Sequence, residues 1–457
     1  MNRAFLLATA MLIATPAGAT DLVEAWRAAL AHDPTIAGAR ASRDAGQEAE
    51  VQAKALGRPT VQAQGAYQYN RVDVEADLPP DLLPSFSGAR SNGRATIGVQ
   101  AVQPIYDATK RAQAIQLREK SAAAQVQYSG EEQALILRVA EAYFGVLAGE
   151  DTLDSYQQQV AAAEEQRRGA QARFDAGRAR ITDVREAEAR RDAAEAQRIA
   201  AQAALANAQS SFTELTGLSA DDLRRPAAGG PPPALALSLD QASALAERQS
   251  PAVKVAEHNA RAVGADVDRY RLGGRLVVEG VAGYQGQYRL GGESGSGILP
   301  DRIQSASAGI RVTIPLYAGG AIASKEREAR SNATRATHDL AAARRDARLQ
   351  ARQAWYAATT GERRVEALRT ARASAGLQQS AALTGREVGI RTQNDVLNAQ
   401  SQSFSTDRDL NQAVYDMLVA RLQLAAATGE LGPDDVQRVN RLLEARATKA
   451  TEADNAS

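Results

Sequence analysis

The chain is written twice, and that limits its folds more than any other feature. Gly177…Asp183-Val184 returns as Gly389…Asp395-Val396, roughly 212 positions later. Ala142-Tyr143-Phe144…Gly149-Glu150 returns as Ala354-Trp355-Tyr356…Gly361-Glu362, and Thr216-Gly217 as Thr428-Gly429. Asp33-Pro34 matches Ser250-Pro251, Leu56-Gly57-Arg58…Tyr67 matches Leu272-Gly273…Arg275…Tyr284, and Pro104-Ile105-Tyr106 matches Pro315-Leu316-Tyr317. The offset drifts by a few positions, as loop insertions produce, and the matches stay collinear. Between the copies, Arg225-Pro226-Ala227-Ala228-Gly229-Gly230-Pro231-Pro232-Pro233 reads as a linker.

Composition removes several function classes. The 457 residues carry no formal net charge, so nothing points to nucleic acid. There is no cysteine, which excludes thiol chemistry, disulfides, Cys–zinc sites and a lipidated N-terminal Cys. His32, His258 and His338 are far apart and lack metal-ligand spacing. No nucleophile–base set, phosphate loop or matched carboxylate pair stands out, so neither an enzyme nor a cofactor is expected. Aromatic residues make up only 4%, which suits long Ala-rich helices better than a broad globular core. Residues 1–19 combine a basic start, an apolar run and Ala17-Gly18-Ala19, the pattern of a secretory signal peptide. No other stretch is apolar enough for a membrane-spanning helix.

Four segments alternate with period two, the strand signature. In 61–70, Val61, Ala63, Gly65, Tyr67 and Tyr69 oppose Gln62, Gln64, Gln68 and Asn70. Its repeat partner sets Val278, Gly280, Ala282 and Tyr284 against Glu279, Gln285 and Gln287. The second pair sets Ile97, Val99 and Ala101 against Thr96, Gly98 and Gln100, and Ala308, Ile310 and Val312 against Ser307, Arg311 and Thr313. Strands of roughly 10–12 residues, apolar outward and polar inward, fit an outer-membrane barrel. Tyr67, Tyr69, Tyr284 and Tyr288 suit an interface girdle. Four strands cannot close, because a barrel needs about eight. An open sheet in lipid leaves unpaired backbone groups. A membrane-spanning reading therefore demands a barrel shared between copies, and closure alone permits either a dimer or a trimer.

The rest reads as long helices. No proline interrupts 105–225 or 316–432. Gly145, Gly149 and Gly361 are candidate kinks or breaks. Val184, Ala187, Ala201, Leu205 and Phe212 form a three–four seam, repeated by Val396, Ala399, Leu410, Ala413 and Met417. Gly177 and Gly389 are placed to end helices in the left-handed conformation. Thr182 and Asn394 are read as the next N-caps, with Asp183 and Asp395 in the first turn. Each stretch is then the tip of an αα-hairpin.

With FDAGRARITDV, REVGIRTQNDVLNA, the two Pro-x-Tyr motifs and Ala-Tyr-Phe at 142–144, nearly the whole mature chain resembles the TolC family of outer-membrane channel-tunnels. The resemblance implies a homotrimer with a twelve-stranded β-barrel in outer-membrane lipid and a long periplasmic α-barrel. It implies an exit duct for type I protein secretion or multidrug efflux. The duct docks by its hairpin tips, at Gly177 and Gly389, onto a periplasmic adaptor (membrane fusion) protein and an ABC or RND-type inner-membrane pump. It implies a gated entrance where Asp395 matches a pore-lining aspartate and Asn398 stands where a second is often found. Arg391 matches a linking arginine, and Thr182 and Asp183 match its partners. Arg386 departs from the family pattern, which can have tyrosine there.

The expected fold is therefore mainly α with membrane β. Residues 20–57 and 105–217 supply the first-repeat helices, and 58–104 the first strand pair with an outside loop. A linker covers 218–238. Residues 239–274 and 316–429 supply the second-repeat helices, 275–315 the second strand pair, and 430–457 a C-terminal tail. The competing reading is a structural or adhesive periplasmic coiled-coil protein with a small soluble sheet.

Overall fold

The structure is a computed structural model that describes residues 19–74, 88–226, 235, 237–271, 276–290 and 302–444. Residues 1–18 of the signal peptide, residues 75–87 and 291–301 of the outside loops and residues 445–457 of the tail lie outside the described residues. Helices α1 (Leu22–His32) and α2 (Pro34–Ala55) lead to strands β1 (Thr60–Val74) and β2 (Gly88–Asp107). Helices α3 (Ala108–Asp175) and α4 (Ile181–Thr216) follow. After the short β3 (Arg225–Pro226) the same order recurs. It runs through α5 (Leu239–Gln249), α6 (Pro251–Tyr270), β4 (Val277–Leu290), β5 (Arg302–Thr313), α7 (Ala321–Glu387) and α8 (Gln393–Ala427). Helix α9 (Pro433–Asn440) and β6 (Leu443–Glu444) end the described chain.

The chain divides into two compact units: Met1–Ala41, Tyr128–Val253 and Arg344–Ser457 form one, and Ser42–Gln127 and Lys254–Ala343 the other. The second unit carries the four-stranded sheet, ordered β1-β2-β4-β5 and antiparallel throughout. Register keeps the apolar parity across the repeat boundary. Val61, Ala101, Ala282 and Ala308 are successive Cα partners, as are Ala63, Val99, Tyr284 and Ala306. One face is thus apolar from edge to edge, and Val61, Tyr67, Tyr69, Ile97, Ile310 and Val312 lie exposed on it. Strand β2 runs three residues past the expected stop at Pro104. The register shifts between Pro104 and Tyr106, a bulge that accommodates a residue with no N–H to donate.

In the first unit, α3 passes unbroken through Gly145 and Gly149, and α7 through Gly361. These glycines do not break the helices. A Cβ at Gly149 would stand 3.1 Å from Leu205, and one at Gly361 3.4 Å from Met417. Gly149 thus lets the returning helix of its hairpin approach closely, whereas Gly361 faces its returning helix at ordinary contact distance. Val184, Ala187, Ala201 and Phe212 are buried along the first seam, as are Val396, Ala399, Leu410, Ala413 and Met417 along the second.

The core of this unit is broader than the low aromatic content suggests. Tyr143 packs edge-on to Phe144 and Phe212, and Phe144 stacks on Tyr415. Segments read as linker and tail complete it. Ala220, Leu223, Val436, Val439 and Leu443 are buried there, and β3 pairs with β6. Ends too short to form a core alone bury their few apolar side chains against ready-made helices. Tyr143 Oη donates to the Thr20 and Arg224 carbonyls, and burial raises its pKa. Its repeat counterpart Trp355 donates to the Leu237 carbonyl. Each aromatic thus fastens the segment entering its half.

Asp33 sits at the corner between α1 and α2. It accepts from the Thr35 N–H at 2.8 Å and from Arg138 Nη2 at 2.9 Å. Burial pushes its carboxyl pKa up, but these bonds outweigh burial and hold it below the usual value. A depressed folded pKa stabilises above the unfolded pKa of about 3.9 and ceases to do so as pH falls through the folded value. Asp33→Asn should therefore lower the thermal midpoint at pH 7 and less so below about pH 4. Equal shifts at both pH values would remove Asp33 from the acid response.

Candidate functional site

Two places hold the residues singled out in the sequence: the hairpin tips and the sheet. At the first tip, the Gly177 N–H bonds the Phe174 carbonyl and the Arg178 N–H the Arg173 carbonyl. At the second, Gly389 bonds Arg386 and Ile390 bonds Gly385 in the same pattern. This is the Schellman closure, which requires a left-handed residue at its turn. Gly177 and Gly389 supply it, with φ of 70° and 79°.

The N-caps lie two residues earlier than expected. Helix α4 is capped at Arg180 and α8 at Thr392, not at Thr182 and Asn394. The aspartates explain the shift. At the third helical position a carboxylate reaches back to the cap N–H. Asp395 accepts from the Thr392 N–H at 2.8 Å and from its hydroxyl at 2.9 Å, while Thr392 Oγ1 accepts from the Asp395 N–H at 3.2 Å. Thr392-x-x-Asp395 is a capping box, a pattern legible in the sequence. The first tip has only half of it. Asp183 accepts from the Arg180 N–H at 3.3 Å, but a guanidinium has no acceptor to offer in return.

The bonds from the Thr392 N–H and hydroxyl hold the Asp395 carboxyl below the ordinary range, and the Arg391 charge adds to them. Asp395 is therefore ionised at any physiological pH. Asn398 lies one turn further along α8, exposed. Arg391 folds its stem over Gly385, where an added Cβ would stand 2.6 Å from Arg391 Cγ. That role for Gly385 is invisible without coordinates.

Within one chain the two tips touch. Gln166 Nε2 donates to Asn394 Oδ1 at 2.7 Å. Asp183, Glu186, Arg173, Thr392 and Asn394 line a groove of about 360 Å³ between them. Arg391 and Thr182 are not among its walls, and among the described residues no ion pair joins Arg391 to Asp183 within the chain. Val388 and Ile390 stand exposed at the second tip, and Phe174 and Ile181 at the first.

The sheet presents unpaired backbone along β1 and β5, its two edges. Its polar face is hollowed, with Gln64, Gln100, Gln285, Ser305 and Arg311 around a groove of about 230 Å³. Among the described residues no helix is long and apolar enough to cross a membrane.

Comparison with known proteins agrees with this geometry. The family described as outer membrane efflux protein matches residues 25–218 and 242–430, one segment in each repeat. Outer membrane protein TolC of Vibrio cholerae serotype O1 is 28% identical over 446 residues, covering 95% of this chain and 97% of that protein. The alkaline protease secretion protein AprF of Pseudomonas aeruginosa is 26% identical, covering 95% and 89%. The Campylobacter jejuni CmeC outer membrane channel superposes with a TM-score of 0.71 at 14% identity, covering 97% of this chain and 98% of that one. The chain belongs to the outer membrane efflux protein family, and it is an outer-membrane exit duct of the kind that serves type I secretion or multidrug efflux.

Proposed function

We propose that three copies of the chain close one twelve-stranded barrel in the outer membrane and pass substrates outward from an adaptor and an inner-membrane pump. The observation that carries this is the sheet: four strands, two open edges and one uncovered apolar face. The strands alternate in direction, so β5 of one copy meets β1 of the next antiparallel, and rotation closes the ring without an edge. Light scattering of the detergent-extracted particle, corrected for bound detergent, should give three times the mature mass. A monomer extracted without detergent would overturn the barrel and favour the coiled-coil reading.

The tips form the gate and the adaptor-docking surface. Asp395 brings a fixed negative charge to the entrance, and three such carboxylates around an axis attract cations and repel each other. Arg391 stands off the groove that Asp183 lines, so its link to Thr182 and Asp183 forms with a neighbouring copy. Exposed pairs of this kind contribute only about 0–1 kcal/mol each, weak enough for a docked adaptor to release. Gly177 and Gly389 set the turns that present Val388, Ile390, Phe174 and Ile181 to that adaptor. In a planar bilayer, Asp395→Ala should lower cation preference, and Arg391→Ser should raise the resting conductance severalfold. Unchanged values in both variants would remove these residues from the gate.

A further inference from the structure

The polar face of the sheet is not electrically even. At its helix-side end, Glu279 lies 3.8 Å from both Lys110 and Arg311, so opposite charges offset each other there. At the loop end, Arg94 of β2 and Arg289 of β4 are direct Cα partners. Arg94 is also the partner of Gln68, and the next row pairs Thr96 with Gln287. Among the described residues neither guanidinium has a carboxylate within ion-pair distance. Like charges set directly opposite on one face of a sheet repel. An arrangement that leaves them so is relieved by an anion arriving between them. The two residues come from different repeats, and the register of β2 on β4 alone brings them together.

We propose that Arg94 and Arg289 form a cationic collar near the external mouth of the duct that draws carboxylate-bearing cargo outward. This rests on the shared-barrel reading, in which the polar face lines the lumen and three copies contribute six guanidinium groups. The charge there is opposite to that of Asp395, so the collar and the tip carboxylate attract ions of opposite sign. A narrow ring of one sign raises the local concentration of its counter-ions.

The test is planar-bilayer conductance in an Asp395→Ala background, where the entrance carboxylate no longer selects. Arg94→Gln with Arg289→Gln should lower the chloride-to-potassium permeability ratio about threefold and abolish block by citrate or poly-L-glutamate added on the loop side. Arg94→Lys with Arg289→Lys keeps the charge and should keep both. Block by citrate assigns the collar to small polycarboxylates, whereas block by poly-L-glutamate alone assigns it to extended acidic polypeptide. A conducting glutamine variant with the parent's ratio and the parent's block would overturn the collar while leaving the barrel standing. Absence of conductance from the parent would overturn the barrel reading, and the collar with it.

Discussion

Replacing Gly429 with alanine is expected to cost the fold about 3–5 kcal/mol, against about 1–2 kcal/mol for the same change at Gly177. Both glycines hold positive φ, 77° and 70°. An L-residue in that region is strained wherever it occurs, and that strain is the whole cost at Gly177, whose added Cβ meets nothing within 4 Å. At Gly429 the new Cβ would lie 2.4 Å from the Gln249 carbonyl oxygen and 2.6 Å from its carbon. These are backbone atoms at the corner between α5 and α6, and they cannot rotate aside. The corner must move, and with it the helix that Pro251 begins. Gly217 is the repeat counterpart, but its neighbour at 3.1 Å is the His32 ring, which can give way. The expected order of damage is therefore Gly429, then Gly217, then Gly177. Thermal unfolding of the extracted protein reads it, and equal shifts for all three would show that φ alone matters.

Arg225→Ala is expected to cost about 2–3 kcal/mol, below the range for a fully buried pair because the cluster keeps some solvent contact. Arg225 donates to Asp151 and to Glu150, and Tyr415 Oη donates to the second Asp151 oxygen at 2.7 Å. Removing the guanidinium takes away the positive charge that the adjacent carboxylates Glu150 and Asp151 share. Burial and the Asp151 charge already raise the Tyr415 pKa, so the phenol stays protonated and keeps donating to Asp151. The substitution also removes a tie between β3 and α3, while β3 keeps its pairing with β6. Asp151→Asn combined with Arg225→Ala should recover part of the loss, because it removes one of the two adjacent negative charges. No recovery in the double variant would mean that Arg225 acts by packing rather than by charge.

Legibility followed the range of the forces involved. The repeat, the strand parity and the glycines at both tips are set by neighbours a few residues apart, and the sequence carried them openly. The capping box was also legible in Thr392-x-x-Asp395, but an expectation centred on the aspartate as a first-turn charge put the cap at Asn394. Backbone bonds decided otherwise, because a carboxylate at the third position satisfies the cap N–H directly. Gly149 misled for a related reason. A glycine inside a helix looks like a break until a neighbouring helix is seen to need the space.

Sequence alone determined that this chain has two equivalent halves, each with a strand pair between helices, and that four alternating strands are too few to close. Those conclusions need only periodicity and the geometry of hydrogen bonding. Tertiary structure alone decided that the apparent linker and tail build a core with Tyr143, Phe212 and Tyr415. It alone set β2 beside β4, bringing Arg94 opposite Arg289 and making the apolar face continuous. The partners in those contacts are separated by long stretches of chain, so no local pattern records them. They form because each half leaves unsatisfied surface, apolar at the chain ends and hydrogen-bonding at the strand edges, that only the other half can cover.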